Sequence, residues 1–199
     1  MIYMMRHGQT AKNKALALQG RKDDPLNDAG RQEAREAFEW FKSQGIDLDL
    51  VYTSPLIRAV ESGRIAAPGV AQVVDERLIE MDYGPYEGLD LLNLPEEVLT
   101  FFKDFQNNPA PDGMEQLSSV VARAGEFLEE IRESAEGKNI LISTHAIAMK
   151  GLLEYLTPES EGSYWSKYIG NCAIYGADLI DGQYTVPEEL RVIHRPGRH

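Results

Sequence analysis

The chain has 199 residues, 43% of them hydrophobic and 26% charged, a composition that suits one soluble globular domain with its own core. No run approaches the ~20 apolar residues of a membrane span, and a formal net charge of −12 argues against nucleic acid or an anionic membrane surface as partner. Cys172 is the single cysteine, which leaves no internal disulfide framework and fits a reducing cytoplasm.

Ile2–Met5 reads as a short buried strand that ends in Arg6-His7-Gly8. The five residues before Arg6 lack the basic start and apolar stretch of a signal peptide, so a cytoplasmic location is expected. A cation and an imidazole at a strand tip, followed by a glycine that lets a substrate approach, suit phosphoryl chemistry: histidine attacks phosphorus and arginine grips its oxygens. Residues 1–22 hold Arg6, Lys12, Lys14, Arg21 and Lys22 and no acid, a local charge of +5 in a chain whose total is −12. An anionic small-molecule site is the simplest reason for that segregation.

Residues 8–27 form a long connection of the kind that usually serves function. A helix is predicted over 28–44, with Ala34, Ala37 and Phe41 at helical spacing and Gly45 as its stop. Leu48–Thr53 reads as a strand, and Pro55 as the first position of a helix reaching Ala67. Ala71–Val74 is a third strand. Residues 80–114 are mixed, with a helix predicted from Pro95 to Phe105 and a loop over Asn107–Gly113. A long amphipathic helix follows over Glu115–Ala135, then the strand Asn139–Thr144, His145, and a helix over Ile147–Leu156. Asn171–Leu179 and Glu189–His194 read as late strands joined through the Asp181-Gly182 turn, with Cys172 a small buried residue inside the first of them. His194 and His199 read as surface residues. Trp40 and Trp165 read as core or rim.

Alternating strands and helices predict a three-layer α/β/α sandwich with a mainly parallel central sheet. In such a sheet Arg6-His7, Ser54 through Arg58, and His145 follow the ends of the first, second and fourth strands, and so converge on one edge. A single domain over 1–199 is expected, with 81–114 as a cap-like insertion over the site.

The residues at those ends carry a resemblance. Arg6-His7-Gly8-Gln9-Thr10 with Asn13, Gln19-Gly20, Asp24-Pro25-Leu26 and Gly30 come first. Ser54-Pro55-Leu56-Ile57-Arg58-Ala59, Leu78-Ile79-Glu80-Met81-Asp82-Tyr83-Gly84 with Glu87-Gly88, and Ser143-Thr144-His145 follow in order. Together they resemble the histidine phosphatase superfamily, in its phosphoglycerate-mutase-like branch, and within it the bacterial small-molecule phosphatases such as α-ribazole phosphatase. The resemblance implies a phosphate pocket of Arg6, His7, Arg58 and His145, with His7 as the nucleophile. Glu80 is then the general acid for the leaving alkoxide and the base for the hydrolytic water. Asn13 and Gln19, with Thr10 and Gly20 in the same loop, are the implied substrate-binding residues. No metal or other cofactor is implied. Four departures stand out: Glu33 for a usual glutamine, Ser62-Gly63 for Thr-Ala, the altered segment Gly113-Met114-Glu115-Gln116, and Ala146 for a glycine after His145.

Four functions compete. Hydrolysis of a small-molecule phosphate monoester through phosphohistidine is the first. A cofactor-dependent mutase needs extra cations to grip an acidic substrate, and Lys103 is the only Lys or Arg between residues 78 and 122, so hydrolysis is preferred. A non-catalytic phospho-ligand binder would be expected to have lost His7, Arg58 or His145. A two-histidine metal enzyme lacks a His-Glu-x-x-His pair and would place arginines against its cation. The sequence leaves the substrate and the oligomeric state, monomer or homodimer, open.

Overall fold

The computed structural model describes residues 1–194; His199 lies outside them. A six-stranded sheet runs in the order β3-β2-β4-β1-β5-β8. Its parallel half comprises β1 (Ile2–Arg6), β2 (Leu50–Thr53), β3 (Gln72–Val74) and β4 (Ile140–Thr144), paired as β1–β4, β4–β2 and β2–β3. Two antiparallel strands, β5 (Ile174–Ala177) and β8 (Glu188–Arg191), complete the edge beyond β1. The mainly parallel three-layer arrangement is therefore observed.

Side-chain alternation on β1 divides the core. Ile2 and Met4 face one side, where they pack with Ile140 and Ile142 of β4. Against them lie α5 (Leu117–Ala135), through Phe127, Leu128 and Ile131, and α6 (Ala146–Leu156), through Met149, Leu152 and Leu153. Tyr3 and Met5 face the other side, toward Ala34, Ala37 and Phe41 of α2 (Asp28–Ser43) and Ala66 of α3 (Ile57–Ala66). Each such large side chain contributes roughly 1.5–3 kcal/mol of burial. A third apolar cluster joins Met81, Tyr83, Leu94, Val98, Phe101 and Met114 to Leu18, Val120, Ile147 and Trp165. It contains α4 (Glu96–Lys103) and ties the 81–114 segment to the loop after β1 and to helices α5 and α6.

Four details differ from the sequence reading. The loop after β1 contains a one-turn helix, α1 (Ala11–Lys14), which Thr10 caps by accepting from the Asn13 N–H. Pro55 lies outside α3, because Leu56 is the extended residue that starts it. Cys172 is buried but belongs to a turn before β5, with φ = 55°, a left-handed conformation rare for a residue with a Cβ. The Asp181-Gly182 turn joins two added two-residue strands, β6 (Leu179–Ile180) and β7 (Gln183–Tyr184), rather than β5 to β8. Both turn residues have positive φ, which a tight two-residue hairpin requires and which alternation alone does not reveal.

Register is what brings the strand ends together. Arg6 pairs with Thr144 across β1 and β4, and Thr53 pairs with Ser143 across β2 and β4. The ladder continues one residue past the strands, with the His7 N–H on Thr144 O at 2.8 Å and the Ser54 N–H on Ser143 O at 3.1 Å. His7, Ser54 and His145 are thereby fixed side by side by backbone hydrogen bonds.

Candidate active site

His7 is buried at the tip of β1, and its Nδ1 lies 2.7 Å from Gly8 O. A carbonyl can only accept, so Nδ1 carries the hydrogen and Nε2 presents a lone pair. The ring centroid lies 5.1 Å from that of His145. Burial first, then the charges of Arg58 and Arg6, hold His7 well below the ordinary imidazole range, so the ring is neutral at pH 7. His145 is lowered in the same way, by burial and then by Arg58. Its Nε2 lies 2.7 Å from Ser54 Oγ, while its Nδ1 is buried without a hydrogen-bond partner.

The two arginines repeat that pattern. Arg58, fully buried near the start of α3, donates from Nη1 to Lys22 O at 2.8 Å and from Nη2 to Gly20 O at 2.5 Å. Arg6 donates from Nη1 to Ile169 O at 2.6 Å. In both, Nε is buried and has no partner. Native interiors leave few such groups unpaired. Of six such side-chain atoms among the described residues, three are nitrogens on the residues whose charges and rings surround His7. The arrangement suits a compact oxyanion.

Glu80 is buried at the N-terminus of α6. Its Oε1 accepts from the Met81 and Ala148 N–H groups, each at 2.9 Å, and its Oε2 from the Ile147 N–H at 3.2 Å. Backbone donors at a helix start satisfy and orient the carboxyl. Glu80 is also the foremost acidic neighbour of Arg58, which places it on the same pocket.

The loop after β1 is built from polar contacts. Thr10 Oγ1 donates to Gln19 Oε1 at 2.8 Å, Asn13 Nδ2 reaches the same oxygen at 3.3 Å, and Gln19 Nε2 donates to Asp24 at 3.2 Å. Thr10 is fully buried and its hydroxyl is spent inside the loop, whereas Asn13 is partly exposed. Gly20 carries a carbonyl that holds Arg58, and a Cβ there would meet the Tyr83 ring at 2.8 Å. Among the described residues no group of three His, Cys, Asp or Glu side chains could hold a metal ion, and no helix is long and apolar enough to cross a membrane.

Residues 2–188 match the family model of the histidine phosphatase superfamily, branch 1. The chain belongs to that superfamily. It is 29% identical over 203 residues to a 2,3-bisphosphoglycerate-dependent phosphoglycerate mutase of Parvibaculum lavamentivorans, covering 96% of each. It is 26% identical to phosphoserine phosphatase 1 of Hydrogenobacter thermophilus, covering 83% of this chain and 80% of that one. Among solved structures it is similar to Bacillus stearothermophilus YhfR, with a TM-score of 0.82, 29% identity, and coverage of 93% and 94%.

Several residues of this histidine phosphatase carry structural roles the sequence reading did not assign. Ser62 Oγ accepts from the Gly8 N–H at 2.9 Å and donates to Arg58 O at 2.6 Å, so the serine that replaces threonine keeps the needed hydroxyl. Gly63 leaves room that a Cβ would lose to Gln72, at 2.8 Å. Glu33 Oε2 accepts from the Gln9 N–H at 2.7 Å, a contact a glutamine oxygen could equally make. Asn171 Nδ2 donates to His7 O at 2.9 Å and reaches Asn13 at 3.4 Å. Glu115, in the altered 113–116 segment, accepts from the Asp82 N–H and pairs with Arg123 and Arg21 behind Glu80. Glu33, Ser62, Gly63 and Glu115 stand out in the sequence as departures from the family pattern, whereas Asn171 has no such signal. Asn171 lies 164 residues from the His7 carbonyl that it holds.

Proposed function

We propose that this chain hydrolyses a small-molecule phosphate monoester through a phosphohistidine on His7. The observation that carries the reading is the set of three buried, unpartnered nitrogens, Arg6 Nε, Arg58 Nε and His145 Nδ1, around an imidazole whose free nitrogen is oriented by Gly8 O. His7 Nε2 forms the bond to phosphorus as the P–O bond to the alcohol breaks. The three N–H groups stabilise charge on the phosphoryl oxygens, each worth about 3 kcal/mol in the transition state. Glu80, acting as the general acid, gives a proton to the departing alkoxide. Its Oε2 accepts a single backbone N–H, which leaves a lone pair for that proton. The resulting carboxylate then takes a proton from the water that cleaves the N–P bond, returning His7 to its neutral state.

Asn13 and Gln19 face the alcohol portion from the loop, while Thr10 and Gly20 shape that loop from behind. The 81–114 segment serves as a cap over the opening. The net charge of −12 speaks against nucleic acid as a partner, and a buried lone thiol fits a cytoplasmic enzyme.

A second reading, phosphoryl transfer between two hydroxyls of a phosphoglycerate, is favoured by the relative that carries the mutase name. Against it, Arg21 at the mouth is already engaged by Asp82 and Glu115. The test is phosphate release across a panel of monoesters, run beside 2-phosphoglycerate/3-phosphoglycerate interconversion, with acid-labile phosphoenzyme trapping. The expected result is hydrolysis dominating and a phosphoenzyme in wild type, with turnover at least about 10⁴-fold lower and no phosphoenzyme in His7→Ala. A phosphoenzyme that survives His7→Ala, or interconversion outrunning release, would overturn it.

A further inference from the structure

Glu87 belongs to a motif that the mechanism above leaves idle. Its side chain reaches from the 81–114 segment to the loop at 20–22. Oε1 accepts the N–H groups of Gly20 at 3.2 Å and Lys22 at 2.7 Å, and Oε2 accepts that of Arg21 at 3.3 Å. Three successive backbone N–H groups turned on one carboxylate make an anion-binding concavity. Among the described residues nothing else accepts from these three groups.

The same loop turns two carbonyls toward the pocket. Gly20 O receives Arg58 Nη2 at 2.5 Å, and Lys22 O receives Nη1 at 2.8 Å. The peptide group joining Gly20 to Arg21 thus donates to Glu87 through its N–H and accepts from Arg58 through its C=O. Each bond polarises the peptide in the sense that strengthens the other. With each terminal nitrogen of Arg58 held by one carbonyl, the guanidinium plane is fixed, and Nε–H, with the second N–H of each terminal nitrogen, is aimed in one direction.

We propose that Glu87 is a positioning residue for Arg58: it sets the 20–22 loop whose carbonyls aim the guanidinium at the phosphoryl group. The proposal rests on the phosphohistidine reading above, because the aim of Arg58 matters only if the pocket takes a phosphoryl group. Loss of the carboxylate does not require loss of the fold. The Arg21 and Lys22 N–H groups are at the surface and can pass to water, so the loop relaxes while the protein stays folded.

The test uses Glu87→Ala and Glu87→Gln, each in the wild-type protein and in Arg58→Ala, with Arg58→Lys as a second background should Arg58→Ala fold poorly. Readouts are kcat/KM on an aryl phosphate monoester, affinity for inorganic phosphate, and the thermal midpoint. In the wild-type background Glu87→Ala is expected to lower kcat/KM by about 10²-fold, the usual effect of misplacing a catalytic group by an ångström. Glu87→Gln, which offers one amide oxygen for two carboxylate oxygens, is expected to lose about tenfold. Without Arg58 the same changes should cost less than about threefold, because residues that act through one another are not additive. Multiplying effects, or a wild-type kcat/KM in Glu87→Ala, would overturn the proposal. Should wild type release no phosphate, the function reading fails, and phosphate affinity in the same proteins still decides whether Glu87 acts through Arg58.

Discussion

Replacing Ser54 by alanine removes one hydroxyl from a fully buried position between β2 and His145. Ser54 Oγ accepts from the Leu56 N–H at 3.3 Å and lies 2.7 Å from His145 Nε2. Among the described residues His145 Nε2 is the acceptor hydrogen-bonded to this hydroxyl, and with the hydroxyl proton directed there the hydrogen of the neutral ring sits on Nδ1. In Ser54→Ala the tautomer loses that bias and Nε2 is stranded in the interior, at a cost of roughly 1–3 kcal/mol. A shift of about 1.4 kcal/mol toward the wrong tautomer removes the Nδ1 donor from most molecules and slows the chemistry about tenfold. The expected outcome is a kcat/KM lower by about 10- to 100-fold on an aryl phosphate. A thermal midpoint lower by about 2–4 °C per kcal/mol lost from the fold should accompany it. Nitrogen-15 spectra of the imidazoles should show His145 protonated at Nδ1 in wild type and shifted toward Nε2 in the variant. A kcat/KM within about twofold of wild type despite a lowered midpoint would refute the reasoning, as would an Nε2-protonated ring in wild type.

Both pocket histidines are held well below the ordinary imidazole range, so below about pH 6.5 the unfolded chain binds protons that the folded one refuses. Stability contributed by the neutral rings is therefore present above that pH and lost as pH falls toward their folded values, by up to about 1.4 kcal/mol per pH unit for each ring. Thermal melts between pH 7 and 5 should show a shallower fall in His7→Ala and His145→Ala than in wild type; an unchanged slope would count against buried neutral rings. Gly30→Ala would set a methyl 2.1 Å from Gln9 O, directly behind the Arg6-His7-Gly8 turn. It should cost about 1–3 kcal/mol and reduce phosphate affinity together, read by denaturant melts and calorimetry. Inorganic phosphate at about 100 times its Kd should stabilise wild type by about 2.7 kcal/mol, and the midpoint rise should vanish in Arg58→Ala.

The sheet was legible because each strand of its parallel half is a short apolar run with a helix after it, and the convergence of His7, Ser54 and His145 followed from topology alone. What escaped was decided by backbone conformation or by distant partners. Cys172 looks like the start of a strand because it is apolar and sits next to Ala173 and Ile174, yet its φ of 55° places it in the turn before β5. Pro55 looks like a helix start, but the extended Leu56 intervenes. Asn171 and Ser62 grip the backbone of His7 and Gly8 from 164 and 54 residues away, and no local pattern encodes such contacts.

The charge pattern shows how far composition reaches. The basic first 22 residues pointed to an anion site, but the structure divides them into different kinds. Lys12 pairs with Asp24 at 2.8 Å, and Arg21 pairs with Asp82 and Glu115, so these cations serve the loop and the mouth. Lys14 and Lys22 lie exposed, and Arg6 alone of the five reaches His7. Its partner Arg58 comes from a different part of the chain and is held by main-chain carbonyls instead of a carboxylate. A carboxylate would have neutralised it in place, whereas two carbonyls fix its direction and leave its charge for the phosphoryl group. The local count of +5 therefore gathers cations that the structure puts to different uses. On the proposed function, the pocket takes an anion because neutral acceptors surround Arg6 and Arg58, and these acceptors come from the loops at 20–22 and 169.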